Sequence, residues 1–217
     1  MSSENRLGSC KAMICREKSR SELKHEAIIS AAKRAFLEFG VQGTSMDKLA
    51  EMAEVSKRTV YNHFASKEQL VLQMLSELWT QAMVEVDVPY SAETSLEEQL
   101  KRFVEAEIDL VSGKEFLGLS KAAAGYYMFQ PEKLQEAMAE FPTDSTALHR
   151  WLDQAMSDGR IRRADVNIAF DQLHSLVKGA CYWPQILGFK SEITAAEKKQ
   201  LAENSVAMFL DHYRATT

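Results

Sequence analysis

Apolar residues recur along most of the chain at the three- and four-residue spacing of amphipathic helices. No segment shows the period of two that marks a β-strand. One apolar stripe runs over residues 28–39 and ends at Gly40, a typical helix stop. Ser66 precedes another apolar run as a helix cap, and Ser-x-x-Glu or Thr-x-x-Glu capping boxes stand at 95–98 and 194–197. The pattern predicts an all-α protein of about nine helices.

The same pattern divides the chain into three parts. Residues 1–19 form a mixed, mostly polar arm, and residues 20–70 hold three short helices that we call the head. We assign residues 71–217 to a larger helical body. Within it, the helical pattern breaks at residues 86–92, which contain Pro89, and then resumes. Residues 165–189 read as one long helix, and we expect a bend near Pro184.

Charge is distributed unevenly between these parts. The chain of 217 residues carries 26 Lys and Arg against 31 Asp and Glu, a net charge of −5. Residues 1–70 hold 12 basic and 9 acidic residues, whereas residues 71–217 hold 14 and 22. The composition is that of an ordinary globular protein and excludes collagen-like, disordered and disulfide-scaffold classes. A basic first part and an acidic remainder indicate that the two face different partners.

Membrane, export and metal signals are weak. The longest uncharged run is residues 179–189, shorter than the ~18 residues that a membrane-spanning helix requires. The N-terminus has no apolar stretch typical of a signal peptide. Cys10 and Cys15 form a C-x4-C pair without a second pair or a nearby His, which disfavours zinc, and three cysteines make an odd number. We expect a cytoplasmic protein with reduced thiols, no membrane association, no metal and no cofactor.

Residues 45–64 have the arrangement of a helix-turn-helix motif. A short helix is followed by the turn Glu54-Val55-Ser56 and then by a second helix in which Val60 and Phe64 face inward. The remaining side chains suit a duplex. Those able to contact base edges are Lys57, Arg58, Thr59 and Asn62, and those suited to phosphate oxygens are Ser45, Tyr61, His63 and Lys67.

These residues resemble the DNA-binding domain of the TetR family of bacterial regulators. The resemblance rests on Thr-Ser-x3-Leu-Ala-x2-Ala-Glu-Val-Ser-x2-Thr-Val-Tyr-Asn-His-Phe-x2-Lys-Glu-x-Leu at 44–70, preceded by Ala-Phe-x2-Phe-Gly at 35–40. It covers about residues 20–70, a quarter of the chain. It implies a DNA-binding head, a ligand-binding and dimerisation body, and a homodimer on a palindromic operator. By the same resemblance, Ser56 joins the phosphate-contact positions.

Two residues depart from the family pattern. Most members have Gly just before the Val-Ser of the turn, where this chain has Glu54, so the turn is either less tight or strained at this residue. Asp47 stands where several relatives place a residue that reaches DNA. A carboxylate there would repel phosphate, so we assign it no DNA contact.

The body shows no catalytic constellation, which indicates that the chain is not an enzyme. It is rich in large apolar and aromatic side chains at helical spacing, which usually form plain core, although the resemblance implies an effector pocket among them. Glu107 projects into the middle of an apolar arc on the helix over residues 95–112, where it needs either a hydrogen bond or ion pair to a neighbouring helix, or a cationic or hydroxylated ligand. The candidate ligand-binding residues are Phe103, Glu107, Tyr126, Tyr127, Trp151, Phe170 and His174.

The last two helices are candidates for a dimer surface. Over residues 165–189 and 194–213, apolar side chains occur on more than one side of each helix, so each must be covered both by its own domain and by a partner. Two such pairs would form a four-helix bundle.

Together these features predict a ligand-responsive DNA-binding regulator, a repressor released from its operator by a small molecule. Two alternatives remain open at this stage: a constitutive DNA-binding regulator without an inducer, or a helical ligand-binding protein or enzyme with a vestigial head. The basic arm over residues 1–19 is either solvated and disordered or a contact to the minor groove or the phosphates.

Overall fold

The computed structural model describes residues 19–86, 88–138 and 146–215 of the chain. Within these ranges it consists of α-helices, without a β-strand. They are α1 (Arg20–Phe39), α2 (Met46–Met52), α3 (Lys57–His63), α4 (Lys67–Glu85), α5 (Leu96–Val111), α6 (Lys114–Tyr127), α7 (Pro131–Met138), α8 (Ala147–Ser157), α9 (Val166–Val177), α10 (Trp183–Ile186) and α11 (Ala195–Tyr213). The prediction of an all-α fold is confirmed. The predicted number of about nine helices is close to the ten rods obtained when α9 and α10 are taken as one.

The helix starts follow the capping residues that the sequence indicates. Ser66 caps α4 by accepting a hydrogen bond from the backbone N–H of Gln69, at 3.1 Å. Thr194 and Glu197 form a complete capping box at α11. At α5 the structure has the Ser95 half of the box, in which the hydroxyl accepts from the backbone N–H of Glu98. Because these bonds need only neighbours in the chain, sequence reasoning locates them well.

The long helix predicted over residues 165–189 is interrupted by a π-helical turn. α9 ends at Val177, the turn covers Lys178–Tyr182, and α10 continues without a break. Pro184 has no N–H to donate to the preceding turn, and the wider turn lies directly before it. The irregularity that we expected near Pro184 is therefore a π-turn that begins six residues earlier.

Two apolar cores share helix α4. The head core is formed by α1, α2 and α3, by Leu70, Val71 and Met74 of α4, and by residues 119, 123 and 127 of α6. The body core is formed mainly by α5, α8, α9 and α11, and Trp79 of α4 packs against it. Helix α4 thus runs from one core to the other and crosses the predicted boundary at residue 70 without interruption.

The turn between α1 and α2 depends on two glycines. Gly40 ends α1 with φ of +71°, a region that favours glycine. A Cβ at Gly43 would lie 2.3 Å from the carbonyl oxygen of Phe39, so no other residue fits there. The buried hydroxyl of Thr44 donates to the carbonyl of Gly40 at 2.8 Å and closes the turn.

The turn between α2 and α3 has the geometry of a Schellman motif. The N–H of Val55 donates to the carbonyl of Ala50 at 3.0 Å, and the N–H of Glu54 donates to that of Glu51 at 3.2 Å. This geometry places Glu54 at φ of +54°, and no other non-glycine residue of the described chain has a positive φ. Of the two possibilities left by the sequence, the turn is tight and Glu54 is the strained residue.

A buried glutamine holds the connection between α4 and α5. The side-chain carbonyl of Gln99 accepts from the backbone N–H of Ser91 at 2.8 Å and from Nε1 of Trp151 at 3.0 Å. Its amide donates to the carbonyls of Ser91 at 2.9 Å and Thr94 at 3.0 Å. One buried side chain therefore satisfies four polar groups on the connecting segment and on α8.

We expect Glu54→Gly to raise the free energy of unfolding by about 0.5–1 kcal/mol, because glycine adopts positive φ without the steric cost that other residues carry. Glu51→Gly, an exposed substitution inside α2, is the matched control and should lower it by about 1 kcal/mol. Urea unfolding followed by circular dichroism measures both. Equal destabilisation by the two variants would contradict the left-handed conformation of Glu54.

We expect Gln99→Leu to lower the free energy of unfolding by about 2–4 kcal/mol, because it leaves the N–H groups of Trp151 and Ser91 without their acceptor. Gln200→Leu, on the exposed face of α11, should change it by less than about 0.5 kcal/mol. The same unfolding measurement applies. A small effect of Gln99→Leu would show that water replaces the glutamine.

Candidate DNA-binding surface and effector cluster

Helix α3 presents the predicted DNA-contacting side chains on the surface. Val60 and Phe64 are buried in the head core, as predicted. Lys57, Arg58 and Asn62 are exposed, and the ring of Tyr61 is 47 % exposed. An amphipathic helix of seven residues therefore keeps its apolar side chains inside and leaves polar donors outside, as a recognition helix must.

Ser45 and Ser56 cap the two helices of the motif. The hydroxyl of Ser45 accepts from the backbone N–H of Lys48 at 3.1 Å, and that of Ser56 accepts from the N–H of Thr59 at 3.1 Å. The hydroxyls of Ser56 and Thr59 also lie 2.8 Å apart and share a hydrogen bond. The hydroxyl of Thr59 is therefore already engaged, and its methyl group remains for contact with a base.

Lys57 forms an ion pair across the motif. Its Nζ lies 2.8 Å from Oδ1 and 3.0 Å from Oδ2 of Asp47, in the first turn of α2. This hydrogen bond raises the pKa of Lys57 above its ordinary value. Asp47, to which the sequence assigned no DNA contact, thus holds a predicted base-reading side chain between the two helices.

Lys67 is bonded to backbone rather than open to solvent. Its Nζ donates to the carbonyls of Val41 at 2.9 Å, Thr44 at 3.3 Å and Gln42 at 3.5 Å. The side chain therefore fastens the loop between α1 and α2 to the start of α4. Ser45, Tyr61 and Lys67 nevertheless border one cleft of about 420 Å³, so the structure brings three of the predicted phosphate-contact residues together.

His63 lies in an aromatic group that the sequence reasoning missed. Its ring is 5.7 Å from that of His25 on α1, and His25 stacks on Phe64 at 5.0 Å. Burial lowers the pKa of His63 below its ordinary value, and the charges of His25 and Lys24 lower it further. These effects favour the neutral form of the His63 imidazole. The position of His25 in the sequence does not indicate this contact, because the contact depends on how α1 packs against α3.

The predicted arm lies outside the part of the chain that the structure describes, except for Ser19. Ser19 caps α1 in a capping box with Glu22. Cys10 and Cys15 fall within residues 1–18 and are likewise outside the described residues.

Inside the body, Glu107 contacts His174. Glu107 is 4 % exposed on α5, and its Oε1 meets Nδ1 of His174 on α9. An acid and a base thus lie against each other within an otherwise apolar core. The interpretation of Glu107 as a residue paired with a neighbouring helix matches this contact.

Aromatic rings extend this contact on both sides. Phe170 stacks between His149 at 4.0 Å and His174 at 5.5 Å, and Trp79 meets His174 edge-on at 5.2 Å. On the next turn, the Nζ of Lys178 lies 5.4 Å from the ring centre of Trp79. We call Trp79, Glu107, His149, Phe170, His174 and Lys178 the effector cluster.

Burial and the charge of Glu107 shift the pKa values of the neighbouring groups. Burial lowers the pKa of Lys178, which the carboxylate of Glu107 opposes. Burial and the same carboxylate raise the pKa of the Cys181 thiol to about 11, so this thiol is protonated and unreactive at neutral pH. Lys178 follows His174 by four residues on the same helix face, a signal that could have placed it in this cluster.

The other predicted ligand-binding residues lie elsewhere. Phe103 and Trp151 pack edge-to-face at 6.3 Å in the body core, next to Gln99. Tyr127 belongs to the head core, and Tyr126 packs against it. The structure therefore brings together Glu107, Phe170 and His174 and does not bring Tyr126 or Tyr127 to them.

The last helices leave large apolar side chains exposed. Ile168 on α9 is 55 % exposed and Met208 on α11 is 59 % exposed, and Trp183, Leu187 and Phe189 around α10 are also exposed. These residues lie on the segments predicted to form the dimer surface. Large exposed apolar side chains are typical of interaction surfaces, so these residues stay the candidates for the predicted dimer surface.

Two further properties concern only the described residues. None of their helices has the length and apolar character needed to cross a bilayer. No group of three or more His, Cys, Asp or Glu side chains within the described ranges is arranged to hold a metal ion.

Family models match both parts of the chain. Residues 28–74 match the model described as bacterial regulatory proteins of the tetR family. Residues 98–215, more than half of the chain, match the model of the AefR-like transcriptional repressor C-terminal domain.

Individual relatives agree with these matches. A TetR family transcriptional regulator from Pseudomonas syringae pv. tomato is 34 % identical with a TM-score of 0.68, and the match covers 89 % of this chain and 98 % of that one. The flavonoid-responsive regulator FrrA is 25 % identical with a TM-score of 0.60, and the match covers 89 % and 98 %. The HTH-type transcriptional regulator YdeS of Bacillus subtilis is 32 % identical over 128 residues, which span 55 % of this chain and 64 % of YdeS. The chain therefore belongs to the TetR family and is a DNA-binding transcriptional regulator, as its relatives are, rather than an enzyme.

Proposed function

We propose that the protein is a homodimeric repressor that a small molecule releases from a palindromic operator. The proposal that a small molecule regulates the protein rests on the buried contact between Glu107 and His174 beside Trp79. Trp79 lies on α4, the helix that also belongs to the head core. A ligand at the effector cluster therefore acts on the helix that positions the DNA-binding head.

DNA recognition rests on the exposed side of α3. Arg58 donates to guanine, Asn62 pairs with adenine, and Thr59 offers its methyl group to thymine. Tyr61, His63, Ser45 and Ser56 contact phosphates, and Lys67 acts by fixing the loop that carries Ser45. Lys57 reads a base or a phosphate once its ion pair with Asp47 opens.

Dimerisation uses the exposed apolar side chains of α9, α10 and α11. Burying Ile168, Trp183 and Met208 against the same residues of a second copy removes apolar surface from water. Each copy contributes two helical rods, which gives a four-helix bundle. The two recognition helices then lie about 34 Å apart, or a multiple of it, so that they enter major grooves on one side of the duplex.

The effector class follows from the chemistry of the effector cluster. The stacked rings of Phe170 and His174 and the indole of Trp79 favour a planar aromatic molecule. The carboxylate of Glu107 accepts from a hydroxyl or binds a cation. FrrA, a relative with this fold, is named as flavonoid-responsive, and a flavonoid is a hydroxylated planar aromatic molecule.

The coupling is a population shift. A ligand that inserts between Trp79 and His174 displaces α4 from its position against α9. Because α4 continues into the head core, the two heads of a dimer change their separation and no longer match successive grooves.

In vitro selection from random duplex DNA with the full-length protein tests DNA recognition. We expect palindromic sites with half-site centres one helical turn or a multiple apart, and a dimeric mass by light scattering.

Asn62→Ala should lower discrimination at one adenine position by about tenfold or more, which fluorescence anisotropy measures. Asn204→Ala on α11 is the control and should have no effect. Selected sites without symmetry, or a monomeric mass, would contradict the proposal.

Calorimetric titration with naringenin and with flavanone, which lacks its hydroxyl groups, tests the effector class. We expect naringenin to bind about tenfold or more tightly than flavanone, because hydrogen bonds to a charged acceptor contribute about 1.5–3 kcal/mol. Glu107→Gln should remove most of this preference. Glu105→Gln, exposed on the same helix, should keep it. An unchanged preference in Glu107→Gln would rule out the carboxylate as the acceptor.

A further inference from the structure

A second cleft lies between the head and the body, away from the effector cluster. It is bounded by the end of α1, the loop over residues 40–43, Met74 of α4 and the face of α6 from Lys114 to Gly125. Its volume is about 440 Å³, within the ~300–1,000 Å³ typical of small-molecule sites. We call it the head–body cleft. It shares no residue with the effector cluster.

The floor of the head–body cleft is apolar. Phe36, Met74 and Leu119 line it from three different helices, and Met74 and Leu119 belong to the head core. Leu37 and Phe39 lie at the exposed edge of α1. Water gains few hydrogen bonds on such a surface, so an apolar chain is the favourable occupant.

Two glycines on α6 keep this cleft open. A Cβ built at Gly118 or at Gly125 meets no atom within 4 Å, and neither residue has a positive φ. A glycine within a helix costs about 0.5–1 kcal/mol relative to alanine, so neither backbone conformation nor packing accounts for the two. Gly118, Ala122 and Gly125 lie on one face of α6, which leaves room for a molecule that approaches the helix backbone.

The rim of the cleft is basic. Lys33, Lys114 and Lys121 line it together with the single carboxylate of Glu115. Lys114 pairs with Glu192 at 3.1 Å. Lys33 and Lys121 form no ion pair within the described part of the chain. The rim therefore offers two ammonium groups to an anion, one from α1 of the head and one from α6 of the body.

We propose that the head–body cleft binds an amphipathic anion, an apolar chain that ends in a carboxylate or a phosphate. The chain lies on Phe36, Met74 and Leu119, and the anionic group lies between Lys33 and Lys121. Such a ligand contacts α1 of the head and α6 of the body at once. Its occupancy therefore restrains the head relative to the body, independently of the effector cluster.

Isothermal titration calorimetry of the full chain with decanoate tests the proposal. Decyl phosphate distinguishes the two anionic groups, and decanol and decylamine are the uncharged and cationic controls of equal chain length. We expect both anions to bind and the controls to bind at least about tenfold more weakly. Lys33→Gln and Lys121→Gln should each weaken decanoate about threefold, and the double variant about tenfold, as exposed ion pairs do. Lys199→Gln on α11 should have no effect.

Filling the cleft provides a second, independent test. Gly118→Phe should abolish decanoate binding because its ring occupies the open space, whereas Gly118→Ala, which adds one methyl group beside the helix backbone, should weaken it far less and raise the melting temperature. Glu107→Gln should leave decanoate binding unchanged. Equal binding by decylamine, or decanoate binding that survives both the double lysine variant and Gly118→Phe, would overturn the proposal. Because no DNA is present, these results stand apart from the proposed repressor function.

Discussion

The whole arrangement depends on helix α4, which belongs to both apolar cores. Leu70 and Met74 pack in the head, and Trp79 packs against the body a turn or so later. A helix of 19 residues is about 28 Å long and bends little, so its two ends cannot move independently. The orientation of the recognition helix is therefore tied to what packs around Trp79, because α4 runs from the head core to the body core without a break.

Two acid–base contacts in the chain have opposite consequences because their surroundings differ. Asp47 and Lys57 meet on the exposed surface of the head, where water screens the pair and breaking it costs little. Glu107 and His174 meet inside the body, where either partner alone would leave a buried polar group without compensation. The first contact can open when a duplex approaches. The second persists unless a ligand supplies equivalent partners.

Much of the fold could be predicted from the sequence, because caps, stops and inward-facing residues depend on near neighbours in the chain. Ser66, Gly40 and the pair Val60 and Phe64 are examples. For Glu54 the sequence leaves two possibilities open, and the backbone shows a left-handed residue in a tight turn. The exposed side of α3 was also accessible to sequence reasoning, since helical periodicity separates it from the buried side.

The remaining parts of the sites depend on contacts between distant segments. Lys67 donates to carbonyls more than twenty residues earlier in the chain, and no spacing rule connects the two. Tyr126 and Tyr127 are aromatic side chains of the predicted ligand-binding body, but α6 turns them towards the head core. Side-chain chemistry identified candidates. Packing between helices decided which of them meet.

The π-turn at Lys178–Tyr182 determines on which side of the following helix the apolar residues are exposed. A π-turn holds about one more residue than an α-turn, and each residue advances a helix by about 100°. Everything after Tyr182 is therefore rotated relative to the continuation of α9. Removing a single residue from the turn would turn Trp183 and Leu187 to another side without changing any side chain. The side of the helix on which these apolar residues are exposed thus depends on the helical phase, which the insertion of one codon changes.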